Sequence, residues 1–224
     1  MAFGQLETVK DIHSDTGDDV YINNFMYRGN ANGIIAANDG NTGSEIYKIN
    51  PGLNDITLIK DISPGCDGSA PNQFRTLPNG NVIFAANDGV HGTELWVTDG
   101  TETGTNMLKD IRLGTSSSNP FQITKMGSEV FFTAYDPTTT GLELWKSDGT
   151  TAGTVIVKDI RLGTGFGNPS NFTVFNNELY FSANDGIVGQ ELWKSDGTEA
   201  GTVLLKDIRS GSISGNPLKF IVSG

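Results

Sequence analysis

The stretch Glu143-Leu144-Trp145-Lys146-Ser147-Asp148-Gly149-Thr150 decides the fold, because it does not stand alone. It returns as Glu191-Leu192-Trp193-Lys194-Ser195-Asp196-Gly197-Thr198 and, slightly altered, as Glu94-Leu95-Trp96-Val97-Thr98-Asp99-Gly100-Thr101. A fainter copy begins at Glu45-Ile46-Tyr47 and meets Asn50-Pro51-Gly52 where the others have Asp-Gly-Thr. Downstream of each copy lies Lys-Asp-Ile, starting at Lys60, Lys109, Lys158 and Lys206, with a further one at Lys10. Successive spacings are 50, 49, 49 and 48 residues. Such a period is the mark of a repeat architecture, in which one unit cannot bury its apolar surface alone.

Inside each period the same signals recur in order. A proline follows the lysine at Pro71, Pro120, Pro169 and Pro217 and precedes an aromatic or aliphatic run. An apolar segment then ends at Asn-Asp-Gly (38–40, 87–89 and 184–186), with Tyr135-Asp136-Pro137 replacing it once. Asn-Gly and Asp-Gly tolerate the positive φ of tight hairpins, so each unit reads as four short strands joined by turns. The last unit places these strands at 171–175, 178–183, 190–194 and 202–208. No segment keeps apolar residues at helical spacing.

The strands are apolar on both faces. In Val130-Phe131-Phe132-Thr133-Ala134 the even-numbered residues share one face and Phe131 takes the other. A sheet buried on both sides is sandwiched between like sheets, which predicts an all-β protein: a β-propeller of four-stranded antiparallel blades. A β-solenoid is the alternative, although its repeats are usually shorter.

Composition narrows the function. Formal net charge is −11, and no basic stripe exists to release counterions from phosphates, so no nucleic acid is expected as a partner. The single cysteine, Cys66, precludes an intrachain disulfide framework or a cysteine zinc cluster. No apolar run approaches the roughly 18 residues of a membrane helix, so no membrane insertion is expected. The first residues show no charged-then-apolar pattern, so no signal peptide is expected in this chain.

The run 143–160, with its echoes at 94–111 and 191–208, resembles the bacterial ELWxxDGT repeat family, also labelled hyalin-repeat. Leu179-Tyr180-Phe181-Ser182-Ala183-Asn184-Asp185-Gly186 is similar to that family as well, and the resemblance covers nearly the whole chain. It implies a secreted or cell-surface setting and a propeller. It implies neither an agreed ligand nor catalytic residues. Tyr47 and Asn50-Pro51-Gly52 depart from the pattern, so a site built on them is least secure in the first unit.

Counting strands gives four complete blades at about 18–62, 67–111, 116–160 and 165–208, with 19–25 as a degenerate first strand. A lone fourth strand (5–12) and a lone first strand (217–222) remain. Three arrangements fit: a segment of a longer array, a four-blade ring with accessory strands, or an open or multi-chain assembly. Dangling strand edges invite pairing with another chain, so a homo-oligomer through the end strands is expected.

Candidate sites follow from recurrence. Glu and Trp of Glu-Leu-Trp lie two apart, on one strand face. Trp96, Trp145 and Trp193 could stack on a sugar while Glu94, Glu143 and Glu191 accept its hydroxyls. The competing reading packs each tryptophan between blades. Asp88, Asp136 and Asp185 occupy equivalent turns and are candidate calcium ligands, calcium being the one cofactor considered. Asx residues before glycine are also what hairpins select. The Lys-Asp-Ile segments with Arg112, Arg161 and Arg209 are expected to form rim ion pairs between blades. His13 and His91 sit at non-equivalent positions, and no catalytic constellation is expected. The loops 112–119, 161–168 and 209–216 vary most between units and are where recognition is expected. The sequence thus points to a non-enzymatic binding or adhesion module with a glycan or matrix component as partner. A structural protein of an extracellular layer, calcium-stabilised, is the alternative.

Overall fold

A computed structural model describes residues 25–28, 32–50 and 55–222. The expected strand at 5–12 and most of the degenerate one at 19–25 lie outside these residues. The chain forms four antiparallel sheets of four strands each, in which sequence neighbours are also hydrogen-bonded neighbours. The first blade holds β1 (Phe25–Arg28), β2 (Asn32–Asn38), β3 (Ser44–Asn50) and β4 (Asp55–Lys60). The second holds β5 (Asn72–Thr76), β6 (Val82–Asn87), β7 (Thr93–Thr98) and β8 (Asn106–Lys109). The third holds β9 (Phe121–Met126), β10 (Glu129–Asp136), β11 (Gly141–Ser147) and β12 (Val155–Lys158). The fourth holds β13 (Ser170–Phe175), β14 (Glu178–Asn184), β15 (Gln190–Ser195) and β16 (Val203–Lys206). Residues 217–222 join no sheet.

Each blade's first strand lies beside the next one's: β1 by β5, β5 by β9, and β9 by β13. These strands line the inside of the array, and the architecture is that of a β-propeller. The core sits between blades. The second blade turns Leu77, Ile83, Leu95, Leu108 and Ile111 forward onto Ile123, Val130, Phe132, Ala134 and Trp145 of the third. Met126, Phe131, Leu144, Val157 and Ile160 meet Leu179, Phe181, Ala183 and Trp193 of the fourth in the same way. The alternation of one apolar strand thus feeds two different cores.

Two recurrent irregularities tune this packing. Between third and fourth strands the register slips at one place in every blade, for example between Leu144↔Lys158 and Trp145↔Ile156. The extra residue of this bulge is Ile59, Leu108, Val157 or Leu205, and the first three are buried against the next blade. At the entries to β5, β9 and β13, and again around Pro217, the residue before proline and the one two after it both adopt positive φ. These pairs are Ala70 and Gln73, Asn119 and Gln122, Asn168 and Asn171, and Asn216 and Lys219.

The motif's polar residues build a turn. Asp148 accepts hydrogen bonds from the N–H and Oγ1 of Thr150, and Ser147 Oγ lies 2.8 Å from Thr154 Oγ1. The carboxylate folds over Gly153 so closely that a Cβ there would sit 2.0 Å from its Oδ1. The same geometry recurs at Asp99 with Gly104 and at Asp196 with Gly201. The spacing Asp-Gly-Thr-x-x-Gly-Thr is therefore one self-closing loop.

Candidate functional site

The glutamates of Glu-Leu-Trp are fully buried in all four blades. Each carboxylate accepts backbone N–H groups from the loop that leads to the next blade. Glu143 takes those of Ile160, Arg161 and Gly167 at 3.0, 3.3 and 2.8 Å. Glu94 takes Ile111 and Ser118 N–H together with Ser118 Oγ. Glu191 takes Ile208 and Gly215 N–H at 2.8 and 2.5 Å. Buried backbone donors need partners, and one carboxylate supplies several. Burial outweighs these donors in pushing Glu94 up to about 7 and Glu143 up to about 8. As placed, the glutamates clasp the inter-blade loops and offer no oxygen to solvent.

Trp96, Trp145 and Trp193 are 5–6% exposed and fill the seams between blades. Their indole N–H groups find no protein acceptor. Lys109 Nζ of the preceding blade lies 5.4 Å from the centroid of Trp145 and donates to the Thr154 carbonyl at 3.1 Å. Lys60 and Lys158 reach the Thr105 and Glu199 carbonyls likewise. The rim lysines therefore join neighbouring blades as expected, but by donating to main-chain carbonyls rather than to carboxylates. Among the described residues the ion pairs lie within blades, Lys146 with Glu129, Lys194 with Glu178 and His91 with Asp88. Arg112 stacks over Tyr135 at 5.0 Å.

The candidate calcium ligands are engaged in their turns. Asp88 Oδ1 accepts from Val90 and His91 N–H, and Asp185 Oδ1 from Ile187 and Val188 N–H. Asp136 is partly buried, yet donors from Thr138 and Thr139 hold its carboxyl below the usual range. No group of three or more His, Cys, Asp or Glu able to hold a metal occurs among the described residues.

All these turns lie at one end of the blades, together with the loops from fourth to first strands. Gly92, for instance, approaches Ser116 and Ser117 so closely that a Cβ would meet their backbone at 2.6 Å. This end exposes Val90, Leu113, Leu162 and Ile187. Between the third and fourth blades it opens into a cleft of about 390 Å³. Phe121, 55% exposed, forms one wall. Gln122, Asn168, Asn184, Gln190 and Asn216 supply amides, Thr133, Ser170 and Ser214 hydroxyls, Leu142 and Pro169 apolar surface, and no charged side chain lines it. Gln122 also accepts Asn171 N–H at 2.7 Å and so couples the two blades at the cleft floor. Of these residues, Asn168, Ser214 and Asn216 fall in the loops singled out by their variability. Phe121 reads only as the start of the apolar run that recurs after each proline, Gln122 carries no motif, and Asn184 and Gln190 read only as turn and strand residues.

No family model matches the chain, and no curated protein matches it. Among solved structures it resembles a prolyl endopeptidase, with a TM-score of 0.53 and 15% identity over 86% of this chain and 27% of that one. A mutant puromycin hydrolase aligns with a TM-score of 0.50 and 12% identity over 83% of this chain and 28% of that one. The chain thus spans little more than a quarter of those proteins. At this identity the likeness is one of fold.

Proposed function

We propose that this protein is a non-catalytic binding module that recognises neutral, hydroxyl-rich ligands such as glycans in the cleft between its third and fourth blades. The carrying observation is the lining: amide and hydroxyl groups beside the half-exposed ring of Phe121, without a charged side chain. Amides donate and accept, which suits vicinal hydroxyls, while an aromatic face suits the C–H side of a sugar ring. An uncharged wall gives an ionic ligand nothing to pair with. Neither a nucleophile with its base nor a tuned carboxyl pair stands in this cleft. The likeness of the repeat to the ELWxxDGT family supports an exported or cell-surface setting.

The test is a neutral-glycan array followed by calorimetry with the best ligand. Phe121→Ala and Asn216→Ala are expected to abolish binding, the first with an unchanged melting temperature. Asn216→Ala is expected to fold, since Ala70 holds the equivalent positive φ, but at a small stability cost. Binding that survives both changes, or none to any neutral glycan, would overturn the reading.

A further inference from the structure

We propose that the cleft takes a chain of sugars rather than a single one, and that the second unit of that chain lies on the paired rings of Tyr135 and Phe166. The proposal rests on the cleft being a glycan site. The third blade departs from the repeat at three places on its loop end: Phe121, Tyr135 and Phe166. Residues that hold a blade together recur from unit to unit, and departures from a local rule concentrate at functional sites.

Shared hydrogen bonds fix the equivalent positions. Tyr135 N–H donates to the Ser118 carbonyl, as Asn87 N–H does to Ser69 and Asn184 N–H to Gly167. Phe166 stands just before Gly167, the donor to Glu143, as Ser117 and Ser214 stand before the donors Ser118 and Gly215. Phe121 follows Pro120, whereas Asn72 and Ser170 follow Pro71 and Pro169. Rings thus replace small polar side chains at all three places.

The replacements do nothing for the blade. Ser117 and Ser214 Oγ accept the N–H groups of Thr93 and Gln190 at 2.8 and 2.9 Å, a bond that phenylalanine cannot make. Asn87 and Asn184 Oδ1 accept the N–H groups of Gly89 and Gly186. Pro137 has no N–H to give, which removes the need for asparagine at 135 but creates none for a ring. Nor are these rings core: Phe166 is 45% exposed and Tyr135 half-buried. The third blade has a neighbour on each side, so this exposure does not arise from the end of the array.

The two rings form a braced platform. They meet edge to face, with centroids 5.4 Å apart and planes at 72°. Arg112, from the loop before the blade, lies 5.0 Å from the Tyr135 ring while its Nη1 donates to the Ser117 carbonyl at 3.3 Å. The platform adjoins the cleft. Leu142 of the cleft wall forms a parallel bridge with Phe166, and Asn168 of the same wall donates its amide to the Phe166 carbonyl at 3.4 Å. Thr133, also in the wall, stands two residues before Tyr135 and so on the same face of β10. A sugar seated against Phe121 therefore has its next unit beside these rings. Their faces suit its C–H side, and the Tyr135 hydroxyl adds a donor and an acceptor.

NMR titration of the full chain with neutral hexose oligomers of one to four units, in the linkage that a glycan array favours, tests this. Wild-type affinity is expected to rise about tenfold from one unit to two, the scale of one added ring contact. Tyr135→Asn and Phe166→Ser introduce residues that the repeat already carries there, and both are expected to fold with a cooperative melt. Each should flatten the series to the single-unit affinity and leave that affinity as it was. Phe121→Ala should abolish binding along the whole series. Equal affinity along the wild-type series, a length dependence that persists in either ring variant, or a loss of single-unit binding in them would overturn the proposal and leave the cleft reading intact. Absence of binding by every oligomer would remove the cleft reading and this proposal with it.

Discussion

The carboxylate of Glu143 accepts a 2.8 Å hydrogen bond from the backbone N–H of Gly167, which lies 24 residues further along the chain. With Ile160 and Arg161 on the same carboxylate, this bond fixes the path from one blade to the next. Glu143→Ala would leave three loop N–H groups without a partner, two of them buried. Leaving a buried N–H without its acceptor costs about 1–3 kcal/mol each. Urea unfolding should therefore show a marked loss of stability for this variant with no change in ligand preference.

The same clasps set a pH dependence. Glu94 and Glu143 hold protons up to about 7 and about 8 in the folded chain, well above their ordinary value of 4.5. Between these limits the folded state binds more protons than the unfolded one, so stability falls as pH rises. His91, whose proton Asp88 favours, acts in the same direction. The melting temperature should be higher at pH 5 than at pH 8. Glu143→Gln cannot ionise and should narrow that gap, and an unchanged gap would refute the assignment.

The turn at Asp148 makes a sharper test. A methyl group at Gly153 would meet the Asp148 carboxylate head-on, so Gly153→Ala should cost about 1–3 kcal/mol. In an Asp148→Ala background most of that cost should vanish. A double-mutant cycle reads the coupling directly. Additive effects would mean that the glycine is needed for another reason.

Trp145 separates packing from recognition. Its N–H has no protein acceptor, so Trp145→Phe loses area but no protein hydrogen bond and should cost about 1–2 kcal/mol. Trp145→Ala should cost about 3–5 kcal/mol. Glycan affinity should be unchanged in the phenylalanine variant, because the ring lies in a seam and not in the cleft.

Calcium offers a further check. Asp88, Asp136 and Asp185 each direct an oxygen to turn N–H groups. Thermal melts in excess calcium and in chelator should therefore coincide, and a stabilising shift would assign these turns to the metal after all.

How much of this the sequence discloses depends on the reach of each interaction. Strand order, turn positions and the double-faced core follow from local alternation and from Asn-Asp-Gly, all within a few residues of one another. The role of Glu94, Glu143 and Glu191 does not, because apart from Ser118 Oγ on Glu94 the partners cited for them are main-chain N–H groups 17–24 residues away, which have no side-chain signature. For the same reason the rim lysines suggested ion pairs when their acceptors are carbonyls. The cleft is hidden more deeply. Phe121, Asn184 and Asn216 come from three different elements and meet only once two blades are packed.

The clasps also bear on how such an array can be cut and joined. Each glutamate belongs to one unit by sequence, yet its donors Ser69, Ser118, Gly167 or Gly215 stand at the threshold of the following one. The smallest piece with all its main-chain donors satisfied is thus out of step with the sequence period. A gene duplication that copied one period would inherit a glutamate and find its donors already waiting in the copy downstream, whatever that copy's surface loops had become. Units can then be added or exchanged while their loop ends diverge.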